Sequence, residues 1–207
     1  MQTIGPAARH RDRRGEAMLA IADAVHLAVG IDSAAGMIRT AQANLLASQA
    51  GNVRFLPMEA ERLEFPGGFF DVISNRHCPF SAPETARVLK EGGVYLTQQV
   101  GEEDKYNLKM AFGRGQSYGI KGGTHRSRYT EELQAAGFRE VRAFAYNAAA
   151  YYETAEDLIF LLRHTPIIPH FGENEADFAI LEKFVQENRT DQGIRTNEER
   201  FMIIARK

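Results

Sequence analysis

Short apolar segments alternate with amphipathic segments along the first half of the chain. Buried strands are predicted at 27–31, 53–56, 69–73 and 94–97, and apolar residues recur at helical spacing between them. A strand that is almost continuously apolar is typical of a parallel sheet, because helices cover such a sheet on both faces. The alternation therefore predicts an α/β fold in which helices flank a mostly parallel sheet.

The periodicity weakens after Val100, and fewer elements are predicted in the second half. A helix is expected over 130–137, followed by strands at 138–145 and 201–205. The last strand ends close to the C-terminus of the sequence. These elements extend the predicted sheet beyond its parallel part.

Polar residues mark three further helix starts. Ser81 with Glu84 and Thr154 with Asp157 have the spacing of a capping box, in which two side chains bind the free N–H groups of a first helical turn. Another helix is expected to begin at Asn174.

The composition is that of an ordinary globular protein, with 44% hydrophobic and 25% charged residues among 207. The formal net charge of −2 argues against a nucleic acid partner or a membrane surface. No apolar run approaches the roughly 20 residues that span a bilayer. The single cysteine, Cys78, excludes an internal disulfide and suits a reducing compartment, which predicts a cytoplasmic location. No histidine or cysteine cluster has metal-ligand spacing, so no metal site is predicted.

Asp32 closes the first predicted strand and precedes an amphipathic helix whose expected N-cap is Ser33. In nucleotide-binding α/β folds, an acid at this position binds a ribose and follows a glycine-rich turn by about 20 residues. The turn should therefore lie near Gly15, where the sequence instead has arginines at 9, 11, 13 and 14. The alternative for Asp32 is an acid that only favours the helix dipole.

The stretch from Gly30 to Gly101 resembles class I S-adenosylmethionine-dependent methyltransferases. Residues 30–38, 58–66 and 70–77 resemble the second, third and fourth motifs of that family, in the family's order and spacing. Residues 86–93 resemble the segment that enters the family's fifth strand. The phrase at 96–101 and the ending at 200–207 are similar to a bacterial subgroup of uncharacterised methyltransferases.

This resemblance implies a Rossmann-like sheet, mostly parallel with an antiparallel last strand, and S-adenosylmethionine as the cofactor. A small-molecule methyl acceptor is expected as the substrate, and a homodimer is an open alternative to a monomer. We expect an atypical or disordered leader at 1–14 and a single domain at 15–207. Within that domain, a helical insertion at 146–199 would cap the site.

The family's glycine-rich turn is the part that the sequence does not match. Ile4-Gly5 is interpreted as the end of the strand before the turn, and Gly15 with Glu16 as its tail. This mismatch suggests that the natural protein starts further upstream, at a misassigned start or a frameshift. It also supports an alternative function, a catalytically inactive methyltransferase-like protein that serves as a binding or interaction module. A nicotinamide-dependent reductase would need a Gly-x-Gly-x-x-Gly turn that the chain lacks.

The resemblance implies a set of cofactor-binding residues. Glu59 would receive the adenine amino group, although the family usually has aspartate there, and Ala60 would offer a backbone N–H. Met37 would pack against the adenine or would simply belong to the core of its helix. The full predicted set comprises Gly15, Glu16, Asp32, Ser33, Met37, Glu59, Ala60 and Asn75.

His77 is the candidate catalytic residue, as a general base that follows the fourth motif. The alternative is a hydrogen-bonded structural histidine. Four residues are predicted to face the substrate, with the alternative that the tyrosines form a small core of the insertion: Arg76, Phe80, Tyr151 and Tyr152.

Overall fold

The structure is a computed structural model that describes residues 2–5, as backbone, and residues 15–207. One mixed sheet organises these residues. Its strands are β1 (Gln2–Gly5), β2 (Leu27–Asp32), β3 (Val53–Pro57), β4 (Phe70–Arg76), β5 (Leu89–Val100), β6 (Arg139–Tyr152), β7 (Arg189–Thr190) and β8 (Gly193–Arg206). The strand order is β3-β2-β1-β4-β5-β8-β6, and the short β7 pairs with β8. The α/β fold predicted from the alternation is confirmed.

The first five strands are parallel to one another. Strand β8 runs antiparallel to β5, because the Gly92 N–H donates to Lys207 O (3.0 Å) while the Gly101 N–H donates to Glu199 O (3.1 Å). The predicted antiparallel last strand is therefore present. Four residues of the segment expected as a leader, Gln2–Gly5, form β1 between β2 and β4. The residues of the predicted glycine-rich turn before Gly15 lie outside the described part.

The helices are α1 (Glu16–Ala20), α2 (Ala35–Ser48), α3 (Ala82–Val88), α4 (Tyr106–Phe112), α5 (Thr124–Ala135), α6 (Ala155–His164) and α7 (Ala176–Asn188), with a 3₁₀ turn at Ala22–Ala24. The prediction of Ser33 as N-cap of α2 is wrong. The N-cap position is Ala34, whose N–H donates to the Asp32 carboxylate at 2.7 Å. Asp32 therefore shapes the turn that Ser33 was expected to shape.

Helix α5 begins six residues before the predicted start at Thr130. The buried Glu102 carboxylate accepts the N–H groups of Gly123 (2.9 Å) and His125, so a distant acid satisfies the first turn. Strands β6 and β8 are also longer than predicted, because their pairing continues past the apolar segments that marked them. The final pair of strands is nonetheless the predicted pair.

The chain divides into two compact units. The first unit contains the described residues up to Gln99 with 128–144 and 202–207; the second contains 100–127 and 145–201. Each has an apolar core. In the first unit α1, α2 and the strands β2 and β3 enclose Met18, Ala22, Ala28, Ile38, Ala41, Val53 and Phe55. In the second unit α4, α6 and α7 enclose Leu108, Phe112, Leu158, Leu162, Leu181, Phe184 and neighbouring residues.

Candidate functional site

A cavity of about 280 Å³ lies in the first unit at the carboxyl ends of its parallel strands. Residues at the end of β2, after β3 and at the end of β4 form most of its wall, and α3 and β5 add one residue each. The strand order reverses between β1 and β4, and ligands of open α/β sheets bind at such a switch point. The lining comprises Ile31, Asp32, Ser33, Met58, Glu59, Ala60, Glu61, Leu63, Ile73, Ser74, Asn75, Cys78, Pro79, Phe80, Thr85 and Tyr95.

The charged residues of this wall are all acidic. Asp32, Glu59 and Glu61 line the cavity, and no lysine, arginine or histidine does so within the described residues. The rest of the wall is mainly apolar or uncharged. Such a cavity favours a ligand that carries positive charge or several hydrogen-bond donors.

Asp32 stands at the tip of β2 and is half-buried. Its Oδ1 accepts the Ala34 N–H at 2.7 Å, which holds the carboxylate at the start of α2. A carboxylate has about four acceptor positions, so Asp32 keeps the capacity to accept from ligand hydroxyls.

Backbone contacts fix the loop that follows β3. The Met58 N–H donates to Asp32 O at 3.1 Å, and the Arg62 N–H donates to Glu59 O at 3.2 Å. The Leu63 N–H donates to the Glu84 carboxylate of α3 at 3.1 Å. These bonds tie the loop to the tip of β2 and to α3, so Glu59 is held beside Asp32 in the wall.

Asn75 is the centre of a buried polar network at the ends of β4 and β5. Its Nδ2 donates to Cys78 Sγ (3.1 Å) and Pro79 O (3.3 Å). Its Oδ1 accepts from Gln99 Nε2 (2.9 Å) and Thr97 Oγ1 (3.3 Å). Because both ends of the amide are engaged, Asn75 holds the loop after β4 in place and leaves little capacity for a ligand.

Two weakly acidic groups also line the cavity. Burial raises the pKa of the Cys78 thiol from 9.0 to about 11; the Asn75 hydrogen bond opposes this shift, and the charges of Glu61 and Asp32 add to it. Burial also raises the pKa of the fully buried Tyr95 hydroxyl. Both groups are therefore protonated at neutral pH, and Cys78 is a poor nucleophile there.

The end of β4 carries two further polar residues. Arg76 Nε and Nη1 are buried and make no hydrogen bond within the described structure. His77 follows with a positive φ of 53°, and its N–H donates to Gln98 O at 2.8 Å. A positive φ is uncommon outside glycine and turns the chain sharply after the strand.

The structure brings together six of the predicted site residues, which all line the cavity: Asp32, Ser33, Glu59, Ala60, Asn75 and Phe80. Within the described residues, the lining does not include Gly15, Glu16, Met37, Arg76, His77, Tyr151 or Tyr152. Tyr151 and Tyr152 belong to the second unit. The roles assigned to these seven residues stay predictions.

Gly15 has a packing reason to be glycine. Its φ is 74°, and a Cβ there would lie 2.5 Å from the Phe55 ring. Glu16 is exposed in the first turn of α1, and Met37 is half-buried on α2.

Sequence reasoning missed several lining residues. Met58, Glu61 and Leu63 belong to the third motif and flank the residues that were chosen, so the motif could have identified them. Thr85 and Tyr95 come from the middle of α3 and β5, where no sequence signal marks a site.

The described residues provide neither a metal-ligand cluster nor a membrane span. They contain no group of three or more histidine, cysteine or acidic residues that could hold a metal ion. None of their helices is long and apolar enough to cross a membrane.

A family model described as a methyltransferase domain matches residues 14–93 of the chain. No curated protein matches the sequence. Among solved structures, the YcgJ protein from Bacillus subtilis is 20% identical with a TM-score of 0.66, over 100% of this chain and 90% of that one. A SAM-dependent methyltransferase from Aquifex aeolicus is 13% identical with a TM-score of 0.55, over 100% and 81%. The cyclase SpnF is 19% identical with a TM-score of 0.56, over 100% and 74%. At these identities the structural likenesses show the fold alone.

Proposed function

We propose that this chain, which has the fold of class I methyltransferases, transfers a methyl group from S-adenosylmethionine to a small molecule. The observation that carries the proposal is the acidic cavity at the switch point of the sheet, with Asp32 in its wall. The methyltransferase domain matched by residues 14–93 includes every residue of the cavity wall except Tyr95.

The residues of the wall fit the nucleoside part of this cofactor. The cavity is at the lower end of the ~300–1,000 Å³ of small-ligand pockets, so it accommodates a nucleoside rather than the whole cofactor. Its apolar side chains suit the faces of a base, and its three carboxylates suit hydroxyl and amino donors. They also offset the positive charge of a sulfonium group.

Three residues of the wall would contact the nucleoside of the cofactor. Asp32 accepts hydrogen bonds from the ribose hydroxyls with the capacity that the Ala34 N–H leaves. Glu59 accepts from the adenine amino group. Met58, fixed by its N–H bond to Asp32, takes the packing role that was predicted for Met37.

The bound cofactor would supply a methyl group on an activated sulfur. The chain then has to position the acceptor in line with that carbon and exclude water. The protonated Cys78 offers no thiolate, so a covalent route through this residue is disfavoured. A general base is not required where the acceptor is already a nucleophile, and the role of His77 as a base stays a prediction.

A second candidate function is a binding or interaction protein that has lost methyl transfer. The arginine-rich sequence before Gly15, where the family has its glycine-rich turn, favours it. The cyclase SpnF, with a similar fold, illustrates that one fold supports more than one chemistry.

Isothermal titration with S-adenosylmethionine and S-adenosylhomocysteine separates the two candidates. Micromolar binding of either ligand supports the methyltransferase. No heat at millimolar ligand contradicts it and favours the second candidate.

The acceptor class needs a separate assay. Protein is incubated with methyl-labelled cofactor and a cell extract that has been divided into small molecules, protein and nucleic acid. We expect label in the small-molecule fraction. Label only in a macromolecular fraction would contradict the proposed substrate class.

A further inference from the structure

Arg76 is the last residue of β4, and no carboxylate of the described residues pairs with its guanidinium. Two of its three guanidinium nitrogens, Nε and Nη1, are buried and make no hydrogen bond. None of the ion pairs within the described residues includes Arg76. No other arginine has an orphaned buried side-chain nitrogen in the part of the chain that the structure describes.

An unpaired buried guanidinium is costly, because it has lost water and gained no acceptor. A buried lysine or histidine can escape this cost by losing a proton, but an arginine stays charged in proteins. The desolvation cost of the guanidinium can then be offset only by a bound group that carries an anion. The planar fork of donors is suited to a carboxylate or a phosphate.

The position of Arg76 limits which anion can reach it. Arg76 follows Ser74 by two residues, Ser74 lines the cavity, and side chains two residues apart in a strand point to the same face. Arg76 therefore lies beside the cavity, at the tip of β4. Strand β1 separates this tip from Asp32 at the tip of β2, so both tips flank the switch point.

A ligand whose ribose contacts Asp32 and whose base fills the cavity must extend its remaining atoms beyond the wall. In S-adenosylmethionine these atoms form the amino-acid part, which ends in a carboxylate and an ammonium group. The three acids of the wall match the ammonium and sulfonium charges, and none of them can bind the carboxylate.

We propose that Arg76 binds the amino-acid carboxylate of the cofactor. The inference rests on the proposed function, and it assigns to Arg76 a cofactor-binding role instead of the substrate contact predicted from the sequence. The backbone around it supports a defined position, because the next N–H, that of His77, donates to Gln98 O at 2.8 Å. The Asn75 network holds the loop that follows.

The test compares two ligands that share adenosine and a thioether. S-adenosylhomocysteine carries the amino-acid carboxylate, and 5′-methylthioadenosine lacks the amino-acid part. Both are titrated calorimetrically into the wild-type protein and the variants Arg76→Met, Arg76→Lys and Arg142→Met. Arg142 lies on the exposed strand β6 of the same unit and serves as the matched control.

We expect Arg76→Met to weaken S-adenosylhomocysteine at least about tenfold and to leave 5′-methylthioadenosine within about twofold. Arg76→Lys should fall between wild type and Arg76→Met, because the charge remains but the fork is lost. Arg142→Met should bind both ligands as wild type does. The melting temperature of unliganded Arg76→Met should equal or exceed that of wild type, since an unpaired buried charge has been removed.

The outcomes separate this inference from the proposed function. If wild type binds neither ligand, both are overturned. If wild type binds S-adenosylhomocysteine and Arg76→Met binds it equally well, the inference alone is overturned. The inference alone is also overturned if Arg76→Met weakens the binding of both ligands by the same factor. It is likewise overturned if Arg76→Met fails to fold and Arg76→Lys binds both ligands as wild type does.

Discussion

The two units of the protein differ in how their buried lysine and arginine cations are satisfied. In the second unit, Lys109 is 3% exposed and its Nζ donates to Gln116 O at 3.0 Å and to Glu102 O. Lys105 is 2% exposed and donates to Asn197 O and to the Glu198 carboxylate, both at 3.2 Å. Each buried cation of this unit therefore has acceptors within the unit.

The pKa values of the second unit reflect the cost of such burial. Burial lowers the pKa of Lys105 and Lys109, although neighbouring acids oppose the shift. For Glu102, burial acts to raise the pKa, but the N–H groups of His125 and Gly123 contribute to a net lowering. The partners of all three groups thus act against the effect of burial on the pKa.

The first unit leaves polar groups without protein partners around its cavity. Arg76 has two buried guanidinium nitrogens that make no hydrogen bond within the described structure. Three carboxylates line the cavity there, and the described residues of its wall include no lysine, arginine or histidine. The comparison suggests two roles for buried charges. A buried charge with hydrogen-bond partners in the protein stabilises the fold, whereas one without such partners marks a place where a ligand is expected.

The largest effect should follow from breaking the buried ion pair between Arg200 and Asp104. Arg200→Met leaves Asp104, 6% exposed, without its ion-pair partner, and should lower the free energy of unfolding by about 3–5 kcal/mol. Denaturant unfolding followed by circular dichroism measures it. The control is Lys183→Met, which breaks an exposed pair with Glu187 and should cost less than about 0.5 kcal/mol. Equal losses in the two variants would refute the view that the second unit depends on its buried charges.

Cys78 should be a slow nucleophile in the native protein. A rise of its pKa from 9.0 to about 11 lowers the thiolate fraction at pH 8 about 100-fold. A thiolate of higher pKa is intrinsically about tenfold more reactive, so alkylation by iodoacetamide should slow at least about tenfold relative to the urea-unfolded chain. Mass spectrometry of timed samples gives both rates. The native rate should continue to rise up to about pH 11, and a plateau near pH 9 would contradict the raised pKa.

Asp32→Asn should weaken cofactor binding without unfolding the protein. The amide oxygen still accepts the Ala34 N–H, but one acceptor for the ribose is lost together with the charge. Hydrogen bonds to charged groups contribute about 1.5–3 kcal/mol, so we expect S-adenosylhomocysteine to bind about 10- to 150-fold more weakly by calorimetry. Asp23→Asn, an exposed acid of the 3₁₀ turn, should bind as wild type does. An unchanged affinity in Asp32→Asn would remove Asp32 from the site.

The smallest effect concerns the ion pair between Glu84 and Arg87 in the first unit, in which both side chains are partly exposed. The Arg87 hydrogen bonds lower the pKa of Glu84 from 4.5 to about 2, aided by the Leu63 N–H. The unfolded chain therefore binds more protons between these values, so the contribution of Glu84 is complete above about pH 5 and is lost as the pH falls toward 2. Solvent screening keeps it below about 1 kcal/mol. The melting temperatures of wild type and Glu84→Gln should differ at pH 6, and the difference should shrink below pH 4.5 and nearly vanish at about pH 2. A constant difference would contradict the lowered pKa.

Local signals predicted the elements whose formation depends on neighbouring residues. The capping box at Thr154 and Asp157 is present with both of its hydrogen bonds, because its four residues need no distant partner. At Ser81 only half of the box forms, since the Glu84 carboxylate binds Arg87 and the Leu63 N–H instead. Competition from residues about 20 positions away is invisible in a four-residue motif.

The sequence by itself determined the α/β class, the strand that ends in Asp32 and the acidic third motif beside it, because apolar periodicity and motif spacing are properties of short segments. Only the tertiary structure decided that Tyr95 and Thr85 belong to the cavity wall. It also decided that the Asn75 amide hydrogen-bonds to the loop after β4. It also decided that two guanidinium nitrogens of Arg76 are buried and make no hydrogen bond within the described residues. Burial and hydrogen-bond satisfaction depend on which distant segments of the chain come into contact, and a local sequence pattern does not specify those contacts.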